Sequence, residues 1–162
     1  MKVEFEGLDE YIVKLRDLAT PKQQKKIFGS ALYAGAGVLA DAIRAEIQTI
    51  PTVTGVYGTP ENKIDGITPT QKKGLLDGFG ISPMRVKRDV YDVHIGFDGY
   101  NGTRTKKHPN GQPNMLIARS VAAGTSFRRP HPFVEPAIRR ALPAAEAAMQ
   151  KALDEQIEQL MK

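Results

Sequence analysis

The reading of this chain turns on residues 123–137: Ala123-Gly124-Thr125-Ser126, then Phe127-Arg128-Arg129, then Pro130-His131-Pro132-Phe133-Val134-Glu135-Pro136-Ala137. Gly124 lacks a Cβ and permits a chain reversal. The alternating prolines hold the following backbone extended. Phe133 and Val134 are apolar enough to anchor that approach in a core, and Pro136 suits the opening turn of a helix. The stretch reads as a rigid turn into a helix, with Gly124, Thr125, Pro132, Phe133 and Pro136 as structural residues.

Helical spacing surrounds it on both sides. Upstream, Asn114–Ala123 predicts a short helix that covers Met115, Ile117, Ala118, Val121 and Ala122 and stops at Gly124. Downstream, Ile138, Leu142, Ala145, Met149, Leu153, Ile157 and Leu160 form one apolar stripe. Pro143 predicts a kink or an interruption within it.

A second long helix is expected from about Lys22 to Ile50, through Ile27, Ala31, Ala34, Val38, Leu39, Ala42, Ile43 and Ile47. Gly29, Gly35 and Gly37 fall inside it and each costs about 1 kcal/mol of helix propensity against alanine. Close backbone packing is the expected reason for them, with a break near Gly35–Gly37 as the alternative. Before it, Lys2–Glu6 alternates as a short strand, and Leu8, Tyr11, Ile12, Leu15 and Leu18 recur as on a helix.

The middle changes character, with ten of the fifteen glycines between Pro51 and Pro113. Thr52–Thr68 predicts an extended loop, and Thr70–Phe79 one or two helical turns. Pro83–Lys87 and Val90–Phe97 read as a strand pair about Arg88–Asp89, followed by a polar loop over Asn101–Pro113. The expected fold class is α+β: one domain over residues 1–162, with long helices on a small, mainly antiparallel sheet. Its extended segments, expected to be flexible, lie at about 52–68 and 101–113.

Charge is unevenly placed. Residues 1–100 carry 13 basic and 13 acidic groups, whereas residues 101–140 carry eight basic groups against Glu135 alone. Arg104, Lys106 and Lys107 on the polar loop, with Arg128 and Arg129 before the proline turn, are the expected contacts to an acidic partner or to DNA. A basic DNA-binding module acting through residues 101–140 is the alternative reading.

Enzyme chemistry finds no support in the sequence. His94, His108 and His131 lack metal-ligand spacing, and no serine sits in a nucleophile elbow. The glycines near Gly96–Gly102 match no nucleotide-binding pattern, so no cofactor and no metal are expected. Without cysteine there is neither a disulfide nor a thiolate site. No apolar run is expected to span a bilayer, and Met1–Glu10 does not read as a signal peptide, which predicts a cytoplasmic protein without membrane contact.

With Gly124-Thr125-Ser126 and Pro132-Phe133-Val134-Glu135-Pro136-Ala137 in place, the chain resembles the tail-component family of long-tailed bacteriophages, which includes tail-completion and head–tail joining proteins. The order of elements matches over nearly the whole chain. The family's proline, threonine-glycine and leucine after the long helix are echoed loosely by Pro51, Thr54-Gly55 and Lys73-Gly74-Leu75. Val56–Lys72 reads as an insertion, and Ala118–Ala123 lacks the acidic, aromatic character often found before the family's Gly-Thr. The resemblance implies a non-enzymatic virion protein that joins an oligomeric ring at the neck or the head-proximal tail end. Its implied partners are tail-tube or head–tail connector proteins, and its implied location is the virion, after assembly in the host cytoplasm.

Overall fold

The computed structural model describes Val13, residues 19–88 and residues 90–162. The strand expected at Lys2–Glu6 and the helix expected over Leu8–Leu18 lie outside the described residues, save Val13, which is helical and exposed. The class is α+β. Among the described residues there are four helices: α1 (Pro21–Thr49), α2 (Pro69–Gly78), α3 (Asn114–Ala123) and α4 (Val134–Leu160). Six short strands, β1 (Phe79–Ile81), β2 (Arg85–Lys87), β3 (Val90–Asp92), β4 (Ile95–Phe97), β5 (Tyr100–Asn101) and β6 (Gln112–Pro113), pair as three antiparallel ladders.

The chain gathers into two compact units. One comprises the residues up to Leu39, Ser82–His94 and Ala141–Lys162; the other comprises Ala40–Ile81 and Ile95–Arg140.

In the first unit, Ile27, Phe28, Ala31 and Leu153 are buried together, with Tyr91, Ala152, Ile157 and Leu160 packed against them. The rings of Phe28 and Tyr91 lie 4.8 Å apart. Helix α1 runs unbroken through all three glycines, which rules out the break near Gly35–Gly37. Their reasons differ. A Cβ on Gly35 would strike the Met149 side chain and stand 3.3 Å from the Ala145 carbonyl oxygen, so a close approach of α4 requires glycine there. A Cβ on Gly29 would make ordinary contact with Met84 at 3.5 Å, and one on Gly37 would meet nothing within 4 Å.

The strand expected over Val90–Phe97 is two strands. Its first part pairs as β3 with β2 in the first unit, Val86 opposite Tyr91. Its second part pairs as β4 with β1 in the second unit, Phe79 opposite Phe97. The apolar alternation is continuous across the break at Val93–His94, so periodicity could not reveal a change of partner. Val90 is exposed.

The second unit buries Ile43, Ile47, Ile50, Ile67, Leu75, Phe79, Ile117, Val121 and Phe133. Phe97 lies between Phe79 and Phe133, with ring centroids 5.0 and 6.1 Å away. Helix α2 is longer than the one or two turns expected. Thr68 and Gln71 form a reciprocal capping box at its start, and Pro69 takes the first helical position.

Helices α1 and α2 also cap each other's C-terminal ends. Lys72 Nζ donates to the Gln48 and Ile50 carbonyls at 2.6 and 2.8 Å. Arg44 donates to the Leu76 and Phe79 carbonyls, both at 3.0 Å, while its guanidinium stands 5.4 Å from the Phe79 ring centroid. Each cation thereby satisfies carbonyls that have no intrahelical donor and meets the negative end of a helix dipole.

Helix α4 begins at Val134, so Pro136 lies in its first turn as expected. It continues through Pro143 without interruption, losing the hydrogen bond that residue 143 would have donated to Arg139. Helix α1 is long and apolar enough to cross a membrane by length and composition alone, and half of its most apolar segment is buried within the fold. The core helix of a soluble protein passes the same test.

The glycines give a paired prediction. Gly37→Ala is expected to raise stability by about 1 kcal/mol through helix propensity. Gly35→Ala is expected to lower it by about 1 kcal/mol, since overpacking outweighs the same gain. Urea unfolding of both variants beside the parent checks the opposite signs.

Candidate functional site

The expected partner contacts divide sharply once placed. Arg104, Lys106, Lys107 and Arg129 are exposed and carry no ion pair among the described residues. Arg128, by contrast, is only 2 % exposed, so its assignment as a surface contact is corrected. Sequence alone treats adjacent arginines alike. Here the backbone turn sends one of them inward.

That turn is built from the residues quoted first. Gly124 adopts φ 72°, a left-handed conformation that favours glycine. The Thr125 and Arg128 backbones then bond reciprocally, Thr125 N–H to the Arg128 carbonyl at 2.9 Å and Arg128 N–H to the Thr125 carbonyl at 3.4 Å. Residues 127–129 meet the segment after Pro51: Ile64 N–H donates to the Phe127 carbonyl at 3.0 Å, and Arg129 N–H to the Ile64 carbonyl at 2.9 Å.

Beneath this bridge the Arg128 guanidinium donates through Nη1 to the Gly66 carbonyl and through Nη2 to the Val56 carbonyl at 3.5 Å. Its Nε has no acceptor among the described residues. Among the described residues no carboxylate pairs with it, and the buried charge is compensated by main-chain dipoles. Burial lowers its pKa below the ordinary arginine value, with Tyr57 acting in the opposite direction.

The segment expected as a flexible loop at 52–68 is irregular, and it is held at several points. Val53 N–H and Ile67 N–H bond to the Ile67 and Pro51 carbonyls at 2.9 and 3.0 Å. Ile67 is fully buried, and Gly66 adopts φ 133° where a Cβ would strike the Pro51 carbonyl. Tyr57 stacks edge-on against Phe127 with centroids 4.9 Å apart. Its hydroxyl accepts from Gln112 Nε2 at 3.3 Å, and Gln112 Oε1 accepts from Gln71 Nε2 at 2.7 Å. Gln71 and Gln112 are buried, so this chain of polar groups runs inward from the exposed Tyr57.

The segment at 101–113 also differs from a featureless polar loop. Its two ends pair as β5 and β6, and Asn101, Gln112 and the following Asn114 are buried. Asn101 Nδ2 donates to the Gln112 carbonyl at 3.0 Å, and Asn114 Nδ2 to the Asp98 carbonyl at 2.8 Å. Side-chain amides replace the apolar anchors whose absence the sequence registered. Between these ends the Thr105 and His108 backbones bond each other at 3.1 and 3.0 Å, placing Lys106 and Lys107 at a tight tip.

Phe133 is fully buried and Pro132 and Pro136 are exposed, consistent with an anchor flanked by backbone-shaping residues. An open depression of about 410 Å³ lies beside them, lined by Pro132, Glu135, Pro136, Arg139 and Arg140. Both arginines there are engaged, Arg139 with Glu135 at 3.1 Å and Arg140 with Glu46 at 2.6 Å. Met115, expected to be covered, stands 46 % exposed at the start of α3.

Among the described residues no group of three or more His, Asp or Glu side chains is placed to hold a metal ion. His94 lies on the surface near Arg85 and 3.2 Å from Asp92. Sequence reasoning missed Tyr57, Gly66 and Gln112, for which no periodicity or motif gave a signal, and Gln71, which the Thr68-Pro69-Thr70-Gln71 spacing of a capping box could have found. The chain matches no protein-family model, no curated protein and no solved structure.

The clasp yields a second prediction. Arg128→Ala leaves two carbonyls without their charged donor and is expected to cost about 3 kcal/mol. Arg128→Lys, which cannot present a planar fork to both oxygens, is expected to lose about half as much. Chemical denaturation gives the energies, and faster proteolytic cleavage within 52–65 in both variants locates the effect.

Proposed function

We infer that this chain is a non-enzymatic assembly protein of a tailed phage particle, completing the tail or joining it to the head as part of an oligomeric ring. The observation that carries the reading is the way Gly124-Thr125 and Pro132-Phe133-Pro136 act together. The first pair turns the chain, Phe133 fills the core, and Pro136 lies in the first turn of the last long helix. Those residues are the ones by which the sequence resembles the tail-component family, and a turn that leads into a core anchor and a helix start supports that reading.

The surface agrees with such a role. A ring closed by heterologous contacts needs two unlike patches on each subunit. Cations concentrate between residues 101 and 140, whereas the exposed carboxylates Asp154, Glu155 and Glu158 lie near the end of α4. The DNA-binding alternative is weakened by Arg128, whose guanidinium is committed to Gly66 and Val56 and is not offered to a phosphate backbone.

Electron microscopy of the purified protein with and without tail tubes tests the proposal. Rings, or decoration confined to one tube end, are the expected outcome. Salt-sensitive binding to duplex DNA with neither rings nor decoration would sink it in favour of the alternative.

A further inference from the structure

In the ladder of β5 and β6, Tyr100 stands opposite Pro113 and Asn101 opposite Gln112. Asn101 and Gln112 are buried, so strand alternation turns Tyr100 outward, where it is 70 % exposed. Helix α3 starts directly after Pro113, and Asn114 N–H donates to the Gly99 carbonyl at 3.0 Å, fixing the helix start beside the strand. Asn114, Ile117, Ala118 and Val121 face inward. That leaves Met115, Leu116 and Arg119 on the outer side at helical spacing, with Leu116 44 % exposed. Three large apolar side chains at one strand-to-helix junction differ from the scattered single residues of an ordinary surface.

The charge beside them has one sign. From Gly99 to Val134 there is no Asp or Glu. Arg104, Lys106 and Lys107 rise on the hairpin that β5 and β6 close, and Arg119 extends the helical stripe. All four are exposed and none has an ion-pair partner among the described residues.

The geometry points to a docking face for an acidic protein surface, one that sets an apolar side chain against Tyr100, Met115 and Leu116 and carboxylates against Lys106 and Lys107. An apolar centre with a cationic rim has the anatomy of a protein interface. A phosphate backbone would use the rim and leave Met115 and Leu116 in water. The opposite charges steer the encounter, and burial of the apolar centre retains the complex. This inference stands on the face itself: an acidic partner foreign to any virion would sink the assembly reading and leave the docking face intact.

Photocrosslinking in cells that naturally make the full chain tests it, with Tyr100→p-benzoylphenylalanine and Leu116→p-benzoylphenylalanine as probes. The exposed Glu61, replaced in the same way, serves as the control position. The expected result is a protein adduct at positions 100 and 116 but not 61, mapping to a segment of the partner that carries Asp or Glu beside an apolar residue. Lys106→Glu with Lys107→Glu, on an exposed loop that leaves the core untouched, should reduce adduct yield about tenfold. Reversing the mapped carboxylates to lysine should restore it. An adduct to DNA, to a second copy of this chain or to a basic segment would overturn the proposal, as would equal labelling at position 61 or no adduct.

Discussion

A buried guanidinium that pairs with no carboxylate among the described residues, and is bound to two main-chain oxygens, is the constraint on which the second unit depends. Desolvating Arg128 is costly, and the cost is met only where the Gly66 and Val56 carbonyls converge on it. Their convergence needs the left-handed conformation at Gly66 and the strained closeness to Pro51 that only glycine allows. The same arginine lies in the Thr125–Arg128 turn that precedes Phe133. Thus one side chain ties the segment after α1 to the entry of α4, and neither can shift without exposing a charge to an unsuitable medium.

Polar groups carry unusual responsibility elsewhere in that unit. The ends of α1 and α2 are closed by each other's cations, and Gln71, Gln112 and Asn114 are buried with partners in hand. Hydrophobic burial supplies most of the driving force but is nearly indifferent to small changes of register. Amides and guanidinium groups are less forgiving, because each misplaced one leaves an unsatisfied donor or acceptor. The segments without apolar anchors therefore adopt defined paths by a different route from the helices.

The parts legible from sequence were those governed by periodicity. The α+β class, three helices near their observed limits and the burial of Phe133 followed from apolar spacing and from proline and glycine placement. Two kinds of feature escaped. Val90–Phe97 keeps its alternation while exchanging one partner strand for another, and no one-dimensional pattern records which strand lies alongside. Charge alone places Arg128 and Arg129 together, although one is buried and the other exposed. The direction of a side chain in an irregular turn depends on local dihedral angles, and those were set by a segment some sixty residues earlier.

The clasp recognises backbone oxygen, and this has an uneven consequence for variation along the chain. A carbonyl is supplied by every residue, so the identity of the side chain at position 56 is invisible to the arginine that binds there. Position 66 enjoys no such latitude, because its conformation excludes anything beyond hydrogen. Natural change within the segment should thus drift freely at the first foothold and halt at the second, as it should at Gly58, where a Cβ would strike the Asn62 and Phe127 carbonyl oxygens.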